Sequence, residues 1–173
     1  MKMMPRIAEI IDAESVAQVH VASWQSAFKG LMPDDFLNAL SVSERAEAWQ
    51  KNMHEHYGSL WVIEDAGGNI CGFSCSDKAI TSREYGFDGE IFGIHIHPKA
   101  KRMGYGRQLM ASAFSYLQSL DCQNVGLWTL RDQNPARHFY DTLGGKIIAQ
   151  KTRNFGGRDL ETVAYFWEDM RLS

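Results

Sequence analysis

A basic, glycine-containing segment in the middle of the chain has the residue types that bind phosphate. Here an apolar, strand-like run ends at Pro98, and Gly104 and Gly106 stand before a long helical pattern. The first turn of a helix has unpaired backbone N–H groups and partial positive charge, and glycine lets an anion approach the backbone closely. The basic side chains of the segment are Lys99, Lys101, Arg102 and Arg107. The segment therefore favours a phosphate-bearing ligand over a plain strand-to-helix turn.

The glycine spacing excludes two common nucleotide-binding loops. A Walker A loop ends in Gly-Lys-Ser/Thr, which this segment lacks, and a GxGxxG fingerprint would need a glycine where Leu109 stands. The preceding strand also lies too far along the chain for a first βα turn. The ligand is therefore expected to be another pyrophosphate carrier.

A second motif follows about 30 residues later, where Asn134 to Gly144 has the pattern of a helix with a proline near its start. With both motifs, the chain resembles the GNAT family of acetyl-CoA-dependent N-acetyltransferases. Lys101 to Gly106 matches the family's Gln/Arg-x-x-Gly-x-Gly/Ala loop, with lysine in the first position. Residues 134–144 are similar to its Asn-x-x-Ala-x-x-Phe-Tyr-x-x-x-Gly helix, with the alanine one place early at Ala136.

The resemblance implies a binding mode for acetyl-CoA, the acyl donor. The pyrophosphate would lie on backbone N–H groups of the loop, and the pantetheine arm would pair with backbone exposed where residues 94–96 separate from residues 125–129. An N–H group of residues 94–96 would polarise the thioester carbonyl. The cofactor-binding residues implied are Ile94, His95, Ile96, Arg102, Met103, Gly104, Tyr105, Gly106, Arg107 and Asn134. Asn134 also suits a simple helix cap before the proline.

The resemblance also implies the proton transfers. Tyr140 matches the family's general acid, which would protonate the departing thiolate, although a core tyrosine is the plainer interpretation. Glu90 is the candidate base, directly or through a water, because it lies on the strand that leads to the cleft. His95 is the competing base. The amine would attack the bound thioester directly, with no covalent enzyme intermediate.

We therefore expect an N-acyltransferase that moves acetyl from acetyl-CoA to a primary amine of a small molecule or peptide, in a ternary complex. The alternative is a non-catalytic domain that binds acyl-CoA as a sensor. The acceptor should face residues 28–40 and 78–88. A nearby acidic group could attract a cationic amine, or be an ordinary solvated helix face; its members are Asp34, Asp35 and Glu44.

Hydrophobic periodicity and turn residues predict the elements that position these groups. The strands are expected at residues 6–11, 60–64, 70–76, 90–96, 125–130, 147–155 and 160–167. The helices are expected at 16–28, 35–40, 43–54, 104–120 and 135–143, the third capped by Ser43. This order predicts an α/β fold of the α+β type with a mixed sheet. With the resemblance, residues 1–173 should form a single N-acetyltransferase domain with the GNAT fold, about six to seven strands flanked by helices.

Composition limits the partners. The 18 basic and 21 acidic side chains give a formal charge of -3, which argues against a nucleic-acid ligand. No run approaches the ~18 apolar residues of a membrane span and no secretory signal is evident, so a cytoplasmic protein is expected. A homodimer is compatible with the family, but the sequence does not specify one.

Neither the histidines nor the cysteines indicate a metal site. His95 and His97 should share a face of one strand, but no third ligand has a suitable spacing. Cys71 and Cys75, four apart on a strand, should share a face as small buried side chains. No metal is therefore expected.

Overall fold

The structure of the protein is a computed structural model that describes residues 3–56 and 58–172. Within these residues, one mixed sheet of seven strands is flanked by five α-helices, which confirms the predicted single-domain fold. The strands are β1 (Arg6–Ile7), β2 (Ser59–Glu64), β3 (Ile70–Lys78), β4 (Gly89–Ile96), β5 (Val125–Leu130), β6 (Lys146–Phe155) and β7 (Arg158–Trp167). The helices are α1 (Ala13–Ala27), α2 (Asp34–Asn38), α3 (Val42–His54), α4 (Tyr105–Ser119) and α5 (Asn134–Thr142).

The strand order in the sheet is β1-β2-β3-β4-β5-β7-β6. Among the described strands, β4 and β5 are the one parallel pair, and all other neighbours are antiparallel. The parallel pair needs a crossover, and α4 supplies it. No helix of the described residues is long and apolar enough to cross a membrane.

One face of the sheet is covered by α4, with α5 packed beside it. The buried positions of α4 recur three and four residues apart and are Leu109, Met110, Ala113, Phe114 and Leu117. Most of them pack in one core cluster with Val125 of β5 and Tyr165 of β7. Burying each large side chain contributes about 1.5–3 kcal/mol, so this cluster anchors α4 on the sheet.

The opposite face is covered by α1, with α3 packed on it. Val16 and Val19 of α1 contact Val62 of β2 and Phe73 of β3 in a second cluster. The cap of α3 is Ser41 rather than the expected Ser43. The Ser41 hydroxyl accepts the backbone N–H of Glu44 at 3.3 Å, because a cap bonds to the residue three places further on.

The first strand is shorter than the expected residues 6–11. The chain turns after Ile7 into a 3-10 helix at Ile10–Asp12. The Asp12 carboxylate accepts the backbone N–H of Glu9 at 2.8 Å and pairs with the Arg6 guanidinium at 2.7 Å. These local hydrogen bonds end the extended conformation.

The prediction that Cys71 and Cys75 share a face is wrong. The β2–β3 register shifts between Ile63 and Glu64, which leaves Cys71 as an extra residue in β3. One extra residue turns the following side chains to the opposite face. Cys71 therefore packs with Ile63 near α4, whereas Cys75 packs with Phe73 near α1. Both thiols are free and buried, as expected.

The separation of β4 from β5 is confirmed. Among the described residues the two strands pair only at Gly89 with Val125 and at Glu90 with Gly126. The Phe87 ring lies against Gly126, where an added Cβ would come within 2.0 Å of it. β4 also has a bulge, two residues after Glu90. Phe92 is the extra residue, because the pairing with β3 shifts between Ile91 and Gly93. Beyond this point the β5 side of β4 is open.

Candidate active site

A cleft of about 680 Å³ lies where β4 and β5 separate. Residues 93–96 of β4 form one wall and residues 128–130 of β5 form the other. The loop before α4 and the first turn of α4 border one end. The end of α1 and the β6–β7 hairpin border the side of the cleft opposite to that loop. β6 lies on this side because it is two strands beyond β5 in the sheet. Most of the expected site residues lie along this cleft.

The loop before α4 has a backbone suited to an anion. Arg102 and Gly104 both adopt left-handed conformations, with φ of 64° and 81°, and Gly104 caps α4. Alternating left-handed residues point successive N–H groups into one concavity. An added Cβ at Gly104 would meet nothing within 4 Å, so the approach to the backbone is open. Lys101 and Arg107 also line the cleft, whereas Met103 lies outside it with 65% of its surface exposed.

Gly106 allows α4 to approach α5 closely. Its added Cβ would lie 3.1 Å from the Phe139 ring, and both residues line the cleft. The loop, the first turn of α4 and the open backbone of β4 therefore form one continuous channel. The positive end of the channel fits the diphosphate of coenzyme A, and the open β5 side of β4 fits its amide-containing arm.

Tyr140 of α5 lines the cleft and is 7% exposed. Its ring packs against Phe139, Tyr165 and Trp167 at centroid distances of 5.4, 5.3 and 6.1 Å. Burial, followed by the nearby Tyr165, raises the pKa of the Tyr140 phenol. The phenol therefore keeps its proton at neutral pH and can act as a donor.

Glu90 of β4 is buried, but it does not line the cleft. Burial raises its pKa, and a hydrogen bond from Ser82 and the charges of Lys151 and Arg153 oppose that shift. The Ser82 hydroxyl also accepts the Trp128 indole N–H at 3.2 Å. Trp128 is part of the cleft wall, so Ser82 connects Glu90 to that wall while Glu90 itself stays behind it.

His95 lines the cleft directly and stacks on His20 of α1, with ring centroids 5.3 Å apart and planes 19° apart. The Trp49 indole N–H donates to His20 Nδ1 at 3.3 Å. Burial, followed by repulsion from Arg45, lowers the pKa of His20 to about 4. Burial, followed by the charge of His20, lowers the pKa of His95 to about 3. Both imidazoles are therefore neutral at pH 7.

Asn134 is exposed and lies outside the cleft, while the preceding Gln133 is buried and lines it. Asn134 is the first residue of α5 rather than its cap. The Gln133 side chain donates to the Ala27 carbonyl at 2.8 Å and so ties the start of α5 to the end of α1. The sequence did not identify Gln133, because the start of a helix does not show which of two adjacent polar side chains, here Gln133 or Asn134, faces the cleft.

The sequence predicted only part of the cleft wall on the proposed acceptor side. Phe28 and Met32 lie in the expected acceptor-facing region, but residues 78–88 and the acidic group of Asp34, Asp35 and Glu44 do not line the cleft. Arg153 and Phe155 of β6 do line it. Their period-two spacing places them on one face of a strand, but nothing in the sequence shows that this face meets the cleft. Within residues 3–56 and 58–172, no three His, Cys, Asp or Glu side chains group as metal ligands.

Comparison with known proteins agrees with this geometry. A family model described as Acetyltransferase (GNAT) family matches residues 21–144. The chain is 29% identical to the Uncharacterized N-acetyltransferase YuaI of Bacillus subtilis, over 95% of this chain and 92% of that protein.

Two solved structures share the fold. One is yncA of Salmonella typhimurium with its cofactor acetyl-CoA, with a TM-score of 0.72 at 15% identity over 96% of this chain and 94% of that one. The other is a phosphinothricin acetyltransferase of Sinorhizobium meliloti in complex with AcCoA, with a TM-score of 0.73 at 18% identity over 96% and 88%. Both neighbours are thus acetyl-CoA complexes.

The stacked histidines predict a loss of stability in acid. The unfolded chain protonates both near pH 6.5, whereas the fold keeps them neutral to about pH 4 and about pH 3. Their contribution is complete above pH 6.5 and decreases as the pH falls, by about 1.4 kcal/mol per pH unit for each histidine. Urea unfolding at pH 7.5, 6 and 5 measures how the free energy of unfolding depends on pH.

His20→Gln should reduce this pH dependence. The control is His54→Gln at the exposed end of α3, which should leave it unchanged. An unchanged pH dependence in His20→Gln contradicts the interpretation.

Proposed function

The chain belongs to the acetyltransferase (GNAT) family, and on this premise we propose that it moves acetyl from acetyl-CoA to a primary amine of a small molecule or peptide. We further propose that residues 1–173 form one N-acetyltransferase domain. The observation that carries the proposal is the continuous channel from the loop before α4 to the open strand β4, with Tyr140 beside it.

The donor is proposed to lie along this channel. Arg102 to Arg107 contribute backbone N–H groups and positive charge for the diphosphate, and residues 94–96 contribute backbone hydrogen bonds for the arm. Gln133 takes the role first expected for Asn134, because it is the neighbour that lines the cleft. Bound in this way, acetyl-CoA supplies an activated thioester, and the protein supplies its orientation.

Tyr140 is proposed to be the general acid. As the C–N bond forms and the C–S bond breaks, the Tyr140 hydroxyl gives its proton to the departing sulfur. A tyrosine has an ordinary pKa of about 10 and a thiol about 8.5, so the transfer is not downhill, and burial raises the tyrosine pKa further. Positioning beside the sulfur must therefore contribute more than acidity. The phenolate regains a proton from water after the thiol leaves.

Glu90 is proposed to be the base, through water. It would take the proton that the amine loses on attack. A base whose pKa is near 3 retains a proton poorly at neutral pH, which disfavours His95 although it lies on the cleft. The pKa of Glu90 is raised, which makes it the better acceptor, and a relay is needed because Glu90 lies behind the cleft wall.

Binding and turnover test the function together. Calorimetry should detect acetyl-CoA binding to the purified protein, and thiol release should increase when a primary amine is added. Binding without release across a broad amine panel would favour the sensor alternative. No binding of either acetyl-CoA or coenzyme A would reject the assignment.

Tyr140→Phe should lower kcat by about 10²- to 10⁴-fold while the Kd for acetyl-CoA is nearly kept, because only the transferable proton is removed. The matched control is Tyr165→Phe. It removes a neighbouring hydroxyl that donates to Asp141 at 2.8 Å outside the cleft. An unchanged kcat in Tyr140→Phe, measured by steady-state thiol release, removes Tyr140 from the mechanism.

Glu90→Gln should remove the part of the acidic limb of kcat/KM that Glu90 causes, and leave the part that comes from protonation of the amine, which is the same for both proteins. The rate of the parent protein falls as the pH drops through the pKa of Glu90, which lies above its ordinary value, because a protonated carboxyl accepts no proton. At neutral pH the variant should be about 10²-fold slower with the same acceptor. Glu84→Gln, at an exposed position, is the control. If the acidic limb of Glu90→Gln coincides with that of the parent protein for the same amine, the base is another group.

A further inference from the structure

We propose that the acceptor amine carries a carboxylate beside a flat apolar body, and that Arg153 binds this carboxylate. The inference rests on the proposed function, because it names the substrate class of the same cleft. An aromatic α-amino acid has the required combination of groups.

The charge of the cleft is the first argument. Among the described residues that line it, none is Asp or Glu. Lys101, Arg102 and Arg107 border the end proposed for the diphosphate, next to β4 and α4. Arg153 lies on the other side of the cleft, on β6, which β5 and β7 separate from β4. The donor phosphates therefore do not account for Arg153.

Arg153 is exposed, and its guanidinium is not bonded to any described side chain. It makes no hydrogen bond or ion pair there, whereas Lys151, two residues earlier on the same face of β6, lies 3.9 Å from the Trp128 ring centroid and 5.2 Å from that of Tyr85. Glu90 is the carboxylate that both cations influence, and it is buried behind the cleft wall. Glu84 also acts on Lys151, so the two cations have two carboxylates nearby, but of these four side chains only Arg153 lines the cleft. Arg153 is therefore the charge that this side of the cleft presents to a ligand.

The backbone that carries Arg153 is held in place. The Asn154 side chain donates to Asp159 at 2.8 Å and accepts the Gly157 N–H at 3.1 Å. An added Cβ at Gly156 would lie 2.6 Å from Phe36 of α2, so the hairpin tip sits directly on that helix. From this anchored backbone the Arg153 guanidinium can bind a planar carboxylate through two parallel hydrogen bonds.

The same part of the cleft is aromatic. Trp24 of α1 and Phe28, which caps the end of α1, meet edge to face with centroids 5.1 Å apart, and Phe155 of β6 packs in the same cluster. All three line the cleft, as does Trp128. Rings in this arrangement favour a flat apolar group over a flexible polar one.

The positive charge also suits the reacting amine. Attack requires a neutral amine, and nearby positive charge lowers the pKa of the acceptor ammonium and so increases its neutral fraction. A compound with several ammonium groups, such as a polyamine, meets repulsion instead. The anionic monoamine is therefore favoured on both counts.

The test compares L-phenylalanine with phenylethylamine, which lacks the carboxylate, and with spermidine. For the parent protein, kcat/KM should be highest for phenylalanine. In Arg153→Gln the ratio of phenylalanine to phenylethylamine should fall about tenfold, the effect of one charge-assisted hydrogen bond. Differences in amine pKa cancel, since the same two acceptors are used for both proteins. Arg158→Gln, which removes an exposed arginine of the same hairpin outside the cleft, should keep the parent ratio.

A binding measurement separates this inference from the proposed function. Calorimetry of phenylalanine with the coenzyme A-loaded protein should show a Kd about tenfold weaker in Arg153→Gln than in Arg158→Gln. A preference for spermidine, or an unchanged ratio and Kd in Arg153→Gln, overturns the carboxylate site even if amines are acetylated. If no amine is acetylated, the proposed function fails, and the two Kd values still decide whether Arg153 binds the anion.

Discussion

The site depends on how little β4 and β5 pair. Two residue pairs join them, and the Phe87 ring against Gly126 marks the point where the pairing ends. A sheet normally satisfies the backbone on both sides of an interior strand, so an interior strand with one open side must be compensated elsewhere. Here α4 and β3 hold β4 in position, and the open backbone groups of β4 border the cleft, where water or a ligand can pair with them.

The cleft is chemically divided along its length. The end next to α4 presents backbone N–H groups and the basic side chains Lys101, Arg102 and Arg107, which suits phosphate. Its middle presents a neutral tyrosine and a neutral histidine, both kept uncharged by burial. Its far side presents aromatic rings and a second positive region. In the function proposed above, this division would let donor and acceptor enter from different sides and meet where the side chains are uncharged.

Much of this architecture was predictable from the sequence, because it depends on local signals. Proline and glycine punctuation located the elements, and the Lys101 to Gly106 loop located the positive end of the cleft. The sequence-based predictions differed from the structure where tertiary contacts determine the direction of a side chain. A bulge at Cys71 changed the face of the side chain, and Gln133 turned inward in place of Asn134. Arg153 could not be found, because only the folded sheet brings β6 to the cleft.

The contact between Gly156 and Phe36 joins the β6–β7 hairpin tip to α2 across more than a hundred residues of sequence. The hairpin contributes Arg153 and Phe155 to the cleft wall, α2 supports the hairpin from outside the cleft, and neither segment includes the loop before α4. Mutations at the hairpin tip should therefore change acceptor selectivity without changing donor binding. The contact between the hairpin and α2 is thus a suitable starting point for laboratory evolution of new selectivities.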